Sequence, residues 1–291
     1  MKSIIKSTGV LLALAMMVLS AQVFAKAKGE FPATIKELTI VSHDKRMSGL
    51  AYLAAGKGPH PTVLLLHGYP GNEKNLDVAQ ALRSQGWNVV FFHYRGAWGS
   101  EGEFSFLGAE ADVQVVLSYL QDENNATRLR VDRSKISLVG HSMGGHLALA
   151  GTFDAPQVKC AVGFDPANLG ARNKGFFEDI EGSKKWLAYS DSLFMLNGWS
   201  GAKARAEIEL HGEAINLLNR AHKIMGRPVM IIAADTDVIP MAVHIDPLVA
   251  VFKAQENNKL AYRLIEDDHS FSSSRALLIE TTVEFLNQSC R

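Results

Sequence analysis

The sequence predicts an α/β protein: a doubly wound, mostly parallel sheet of about eight strands that carries a helical cap insert. Three observations lead there. Short, nearly continuous apolar runs bounded by Gly, Pro or Asp recur along the chain. Segments of helical period separate them, and one long interval, about 167–226, interrupts the alternation. Apolar runs of that length suit strands buried on both faces of a parallel sheet. Their regular exchange with helices implies right-handed crossovers. With 291 residues, 47% hydrophobic and 21% charged, the chain has material for one large core.

The elements follow in order. Lys2 and Lys6 precede the apolar run 10–19, and Val23 and Ala25 set small residues at the −3 and −1 positions of a cleavage site. That is the pattern of a secretory signal peptide over 1–25, leaving 26–291 as the folded domain in the periplasm or outside the cell. No Cys follows as a lipoprotein would need, and no paired arginines mark the twin-arginine route. No other stretch is long and apolar enough to span a bilayer, so no membrane association is expected after cleavage. Segments 37–42 and 47–54 read as a leading antiparallel pair. Core strands are expected at 61–66, 87–92, 136–139, 158–162, 228–232 and 260–264. Helices are expected at 76–84, 109–121, 143–152, 241–254 and 274–286. The interval 167–226 is too long for a connecting loop. It is helical in pattern, above all over 202–224, and rich in aromatics: Phe176, Phe177, Trp186, Tyr189, Phe194 and Trp199. Those rings either pack the insert onto the body or line a substrate pocket. Trp186 and Phe194 are the candidates for substrate contact.

Composition excludes several classes. Lysine plus arginine equal aspartate plus glutamate at 30 each, with no basic stripe, so no nucleic-acid partner is expected. The chain has no CxxC, no HExxH, no GxxxxGK[ST] and no GxGxxG after a strand, so neither a metal nor a nucleotide cofactor is called for.

The chemistry-bearing residues gather at strand ends. Gly140-His141-Ser142-Met143-Gly144 lies between the strand 136–139 and a helix, the setting a nucleophile elbow requires. Glycines two residues either side of Ser142 let the turn approach its neighbours where a Cβ would clash. The helix N-terminus favours negative charge developing at the serine. A serine needs a base held by an acid. Among the histidines after Ser142, His146 lies on the elbow helix, His211 and His222 in the insert and His244 in a helix. Only His269 falls in a loop directly after a core strand, where such sheets assemble their sites. His141 is adjacent to Ser142 and points away from it. For the acid, Asp237 is favoured, with Asp235 and Asp165, each at a strand end, kept as alternatives. Leu66-His67-Gly68-Tyr69-Pro70-Gly71 bends over the elbow; since Pro70 has no N–H, the oxyanion donors expected are the N–H groups of Tyr69 and Met143. Arg95 is either structural or substrate-binding.

Ser142, Asp237 and His269 in that chain order, with His67-Gly68 upstream, resemble the α/β-hydrolase superfamily over about 47–286. Tyr94-Arg95-Gly96, and Asp268-His269-Ser270-Phe271 followed by Arg275, are similar to the catalytic domains of prolyl-oligopeptidase-like proteins and their small esterase relatives. The resemblance implies a cofactor-free serine hydrolase acting through an acyl-enzyme on a small ester, with a peptide or acyl-amide as the alternative and a silent binding protein as a third reading. It also implies a role for the Tyr69 hydroxyl at the oxyanion. The oligomeric state is not legible. Cys160 begins the strand after the elbow helix, and the last helix should end at the same sheet edge near Cys290. An oxidising compartment would favour their pairing; a buried apolar Cys160 and a frayed Cys290 are the opposing reading.

Overall fold

The computed structural model describes residues 29–291 apart from Asn173, Met225, Thr236 and Asp237. The expected signal peptide, 1–25, lies outside the described residues. The chain divides into Met1–Pro32 and Ala33–Arg291; residues 29–32 have no regular structure, and the second unit carries everything that follows.

Eight strands form one sheet in the order β1-β2-β4-β3-β5-β6-β7-β8. β1 (Thr34–Ser42) pairs antiparallel with β2 (Lys45–Leu53), and β2 antiparallel with β4 (Asn88–Phe92). From there β3 (His60–Leu66), β5 (Val131–His141), β6 (Val158–Phe164), β7 (Val229–Ala234) and β8 (Leu260–Ile265) are all parallel. β4 and β7 are buried along their whole length, as uninterrupted apolar runs in a covered sheet should be. The charged Lys36, Glu37, Lys45 and Arg46 sit on the exposed edge pair, where they discourage pairing with another chain.

Helices cover both faces. α1 (Leu76–Ser84) places Val78 and Leu82 in one core. α2 (Phe106–Gln121) and α4 (Met143–Asp154) close the opposite face, with the short α3 (Glu123–Leu129) between them. α2 begins three residues before the apolar period suggests, because the Ser105 hydroxyl accepts the Gly108 N–H and caps it. α3 was not anticipated: its polar Glu-Asn-Asn run has no apolar period, and the Asp122 carboxylate starts it by accepting the Asn125 N–H.

The insert contains a 3-10 turn at Leu169–Ala171, then α5 (Lys174–Glu178), α6 (Ile180–Asp191), α7 (Gly201–Ile215) and α8 (Leu217–Arg220). The helix expected over 202–224 is broken at Asn216, whose extended backbone ends α7 and whose carboxamide oxygen accepts from the Leu218 N–H and from Asn168 Nδ2. The helix expected over 241–254 divides likewise into α9 (Met241–His244) and α10 (Asp246–Lys253), since Pro247 starts a helix but cannot continue one. α11 (Arg275–Ser289) closes the chain, with Leu278 and Leu286 against the core that α1 also enters. At its end Cys290 is disulfide-bonded to Cys160 at the start of β6, with Cα atoms 5.9 Å apart across a separation of 130 residues.

Candidate active site

The site is assembled where β3, β5, β6 and β8 end. Ser142 has φ 58° and ψ −120°, an unfavourable conformation for a side-chain-bearing residue. The surroundings enforce it. The Ser142 N–H donates to the Phe164 carbonyl at 2.8 Å, and the Ser142 carbonyl accepts from Ala167 at 3.0 Å and His146 at 3.1 Å. A Cβ on Gly140 would overlap the Gly144 carbonyl, and one on Gly144 would overlap the Leu66 carbonyl. Both positions therefore require glycine.

His269 sits in the turn between β8 and α11, a turn built by carboxylates. Asp268 accepts the Ser270 and Ser272 N–H groups at 2.9 Å each, and Asp267 accepts that of Ser273 at 2.9 Å. Arg275 ties the turn to the start of α1 through the Ser270 carbonyl, the Asn75 carboxamide and the Asp77 carboxylate. His141 Nε2 lies 2.6 Å from the His269 carbonyl, and the two rings are 4.5 Å apart. A carbonyl only accepts, so His141 carries its proton on Nε2. Burial lowers its pKa to about 3 and keeps the ring neutral. It is a prop for the His269 turn.

Among the described residues His269 is paired with Asp165, one of the two alternatives to Asp237. His269 Nδ1 is 2.6 Å from Asp165 Oδ2. Asp165 is fully buried at the end of β6; its backbone N–H donates to the Ile232 carbonyl at 2.7 Å and its Oδ1 accepts from the Ala234 N–H at 3.2 Å. Asp235 is exposed, and Asp237 lies outside the described residues. With Nδ1 bonded to the carboxylate, the imidazole is left with Nε2 as its free nitrogen. Asp165 and Asp235 both end parallel strands, so strand position does not separate them. Burial and backbone anchoring do.

The loop after β3 frames the other side of Ser142. The Tyr94 hydroxyl donates to the His67 carbonyl at 3.0 Å and Trp98 Nε1 to the Pro70 carbonyl at 2.7 Å, which pins the loop on either side of Tyr69. No acceptor for the Tyr69 or the Met143 N–H is found among the described residues. The Tyr69 ring lies 5.3 Å from Phe106 and 6.4 Å from both Trp186 and Trp199. Its hydroxyl accepts from Trp199 Nε1 at 2.6 Å, and burial raises its pKa to about 12. Arg95 is structural: its Nε meets the fully buried Asp112 at 2.6 Å and its backbone N–H donates to the same carboxylate at 2.9 Å.

Two cavities meet at Ser142 and His269. One, of about 190 Å³, is walled by the β3 loop, His141 and Ser270. The other, of about 370 Å³, runs under the insert and is lined by Phe106, Met143, Leu169, Arg172, Trp186 and Tyr189. Trp186 thus reaches the cavity. Phe194 does not: it is 91% exposed and absent from both walls, because the turn after α6 buries Leu193 and Leu196 instead and turns Phe194 outward. Tyr189, named among the insert's aromatics but not as a candidate for substrate contact, lines both. Among the described residues no group of His, Cys, Asp or Glu could hold a metal ion.

The chain has the α/β-hydrolase fold. Residues 51–167 match the BD-FAE family model. The chain is similar to the Est1E protein of Butyrivibrio proteoclasticus, whose structure holds ferulic acid, with TM-score 0.66 and 20% identity over 87% of this chain and 98% of that one. It is also similar to the Pyrococcus furiosus esterase Pf2001, with TM-score 0.65 and 21% identity over 89% of this chain and 92% of the other. A Mycobacterium tuberculosis protein is 28% identical over 131 residues, 45% of each chain. The chain thus spans under half the length of that curated relative.

Proposed function

We propose that the protein is an exported serine hydrolase that cleaves carboxylic esters. The observation that carries this reading is His269, anchored through Nδ1 on the buried Asp165 and lining the same two cavities as the strained Ser142. Ser142 Oγ attacks the ester carbonyl while His269 Nε2 takes its proton. Asp165 holds the imidazolium, and the N–H groups of Tyr69 and Met143 receive the oxyanion. Collapse of the tetrahedral adduct returns the proton to the departing alcohol. Water, deprotonated by the same histidine, then releases the acid and restores Ser142. The Tyr69 hydroxyl accepts from Trp199 Nε1 and keeps its own proton to donate toward the oxyanion.

Ester chemistry is favoured over amide chemistry because similar folds include esterases. Export is favoured by the pattern of residues 1–25 and by the Cys160–Cys290 bridge, which belongs in an oxidising compartment. Hydrolysis of p-nitrophenyl esters of graded acyl length, beside aminoacyl p-nitroanilides, tests the reading. The esters should be cleaved and Ser142→Ala should abolish turnover. Cleavage of the anilides alone, or turnover that survives in Ser142→Ala, would contradict it.

A further inference from the structure

The wider cavity beside Ser142 is apolar on most sides, yet it contains a cation. Arg172 follows the 3-10 turn Leu169–Ala171 and lines this cavity with Met143, Trp186 and Tyr189. Its guanidinium carbon lies 5.4 Å from the centroid of the Trp186 ring and 5.7 Å from that of Phe176. Stacking on rings offsets part of the cost of leaving water but gives the N–H fork no acceptor. Among the described residues no carboxylate forms an ion pair with Arg172. Other arginines of this molecule are treated differently: Arg95 meets Asp112, Arg220 meets Glu110 and Asp154, and Arg275 meets Asp77. Burial lowers the Arg172 pKa to about 10, as expected of a guanidinium withdrawn from water without a carboxylate in compensation, and it remains protonated at neutral pH. A half-buried charge with no carboxylate partner among the described residues gains from an anion that arrives to pair with it.

We propose that Arg172 is a specificity-determining residue for an anion, and that the ester cleaved carries a carboxylate or phosphate on the portion that enters the aromatic cavity. The proposal rests on the ester-hydrolase reading above and adds the substrate class. The planar guanidinium offers a fork of N–H donors that matches the paired oxygens of either anion. The rings flanking it accept an apolar or aromatic spacer, so the group recognised is amphiphilic, with an apolar body and a charged end.

Two measurements test this. The first is the ratio of kcat/KM for mono-p-nitrophenyl glutarate to that for p-nitrophenyl pentanoate, acyl chains of equal carbon count that differ in a terminal carboxylate. The ratio should fall at least tenfold from wild type to Arg172→Gln, with Arg172→Lys between them, since a hydrogen bond to a charged group corresponds to about ten- to hundredfold. An unchanged ratio would overturn the proposal, because a purely structural arginine alters both substrates alike. The second needs no turnover and keeps Arg172 in place: calorimetric binding of phenylpropionate, phenylpropyl phosphate and phenylpropionamide to the Ser142→Ala protein. One or both anions should bind at least tenfold more tightly than the amide, and which does identifies the anion. Equal affinities would refute the anion site. A wild-type protein that hydrolyses neither ester yet binds the anions would instead refute the ester-hydrolase reading alone.

Discussion

The sheet side and the insert side of the active site are held by different means. On the sheet side position is set by backbone. Ser142 keeps φ 58° because three main-chain hydrogen bonds and two glycines without room for a Cβ leave it no other conformation. His269 is carried on a turn whose N–H groups are capped by Asp267 and Asp268. On the insert side the wall is made of side chains: Trp186, Tyr189 and Arg172, with Trp199 fastening Tyr69. A backbone-built half tolerates almost no substitution, whereas a side-chain wall can be resurfaced without disturbing the fold. In the proposed reading the sheet therefore fixes the chemistry and the insert sets the selectivity.

That contrast orders the effects of substitution. Gly144→Ala should be the most damaging, since the new methyl meets the Leu66 carbonyl, part of the rigid sheet. A loss of about 4–5 kcal/mol, at the top of the range for single substitutions, is expected by denaturant unfolding, with activity lost as well. A variant as stable as wild type would show that the elbow is looser than its geometry implies.

Acid exposes the sheet side next. Burial lowers the pKa of His67 to about 3, His93 to about 4, and His141 and His244 to about 3, each from an ordinary value near 6.5. Between those values the unfolded chain binds more protons than the folded one. Stability is therefore complete above pH 6.5 and declines as pH falls toward 4, by up to ~1.4 kcal/mol per pH unit for each fully buried histidine. The melting temperature should drop steadily from pH 6.5 to 5, before most carboxylates titrate. A flat profile over that window would mean these rings reach water.

The insert should respond more mildly. Trp186→Ala is expected to change the ranking of acyl-chain lengths by about tenfold in kcat/KM, equivalent to ~1.4 kcal/mol, measured on the p-nitrophenyl ester series. Phe194→Ala, on a ring that is 91% exposed, should change neither ranking nor stability beyond ~0.5 kcal/mol. If Phe194 altered the ranking as much as Trp186, the insert would have to close over the cavity in solution.

The same division explains what could be read from the residues alone. Strands were legible because burial on both faces writes itself as unbroken apolar runs; β4 is Asn-Val-Val-Phe-Phe and wholly buried. The elbow was legible because a glycine two residues either side of Ser142 is a backbone requirement. α3 was not, since its start depends on one cap at Asp122. The pairing of Asp165 with His269 was not either: carboxylates follow both β6 and β7, and the hydrogen bonds from the Asp165 N–H to Ile232 and from the Ala234 N–H to its Oδ1 are made between strands far apart in sequence. Trp186 and Phe194 were equivalent as letters. Burial of Leu193 and Leu196 turned Phe194 outward, a consequence of turn geometry that no apolar count contains. Arg172 gave no signal, because an unpaired cation is recognisable only once its neighbours are known.

The measurement that bears most directly on the proposed triad is the rate at which a fluorophosphonate labels Ser142 in the wild-type, Asp165→Asn and Asp237→Asn proteins, with the adduct located by peptide mass spectrometry. A carboxylate that orients the catalytic imidazole is worth about 10⁴ in rate. The Asp165–His269 hydrogen bond predicts that loss in Asp165→Asn, and a rate within about tenfold of wild type in Asp237→Asn. The reverse pattern, or an adduct on a serine other than Ser142, would contradict the account.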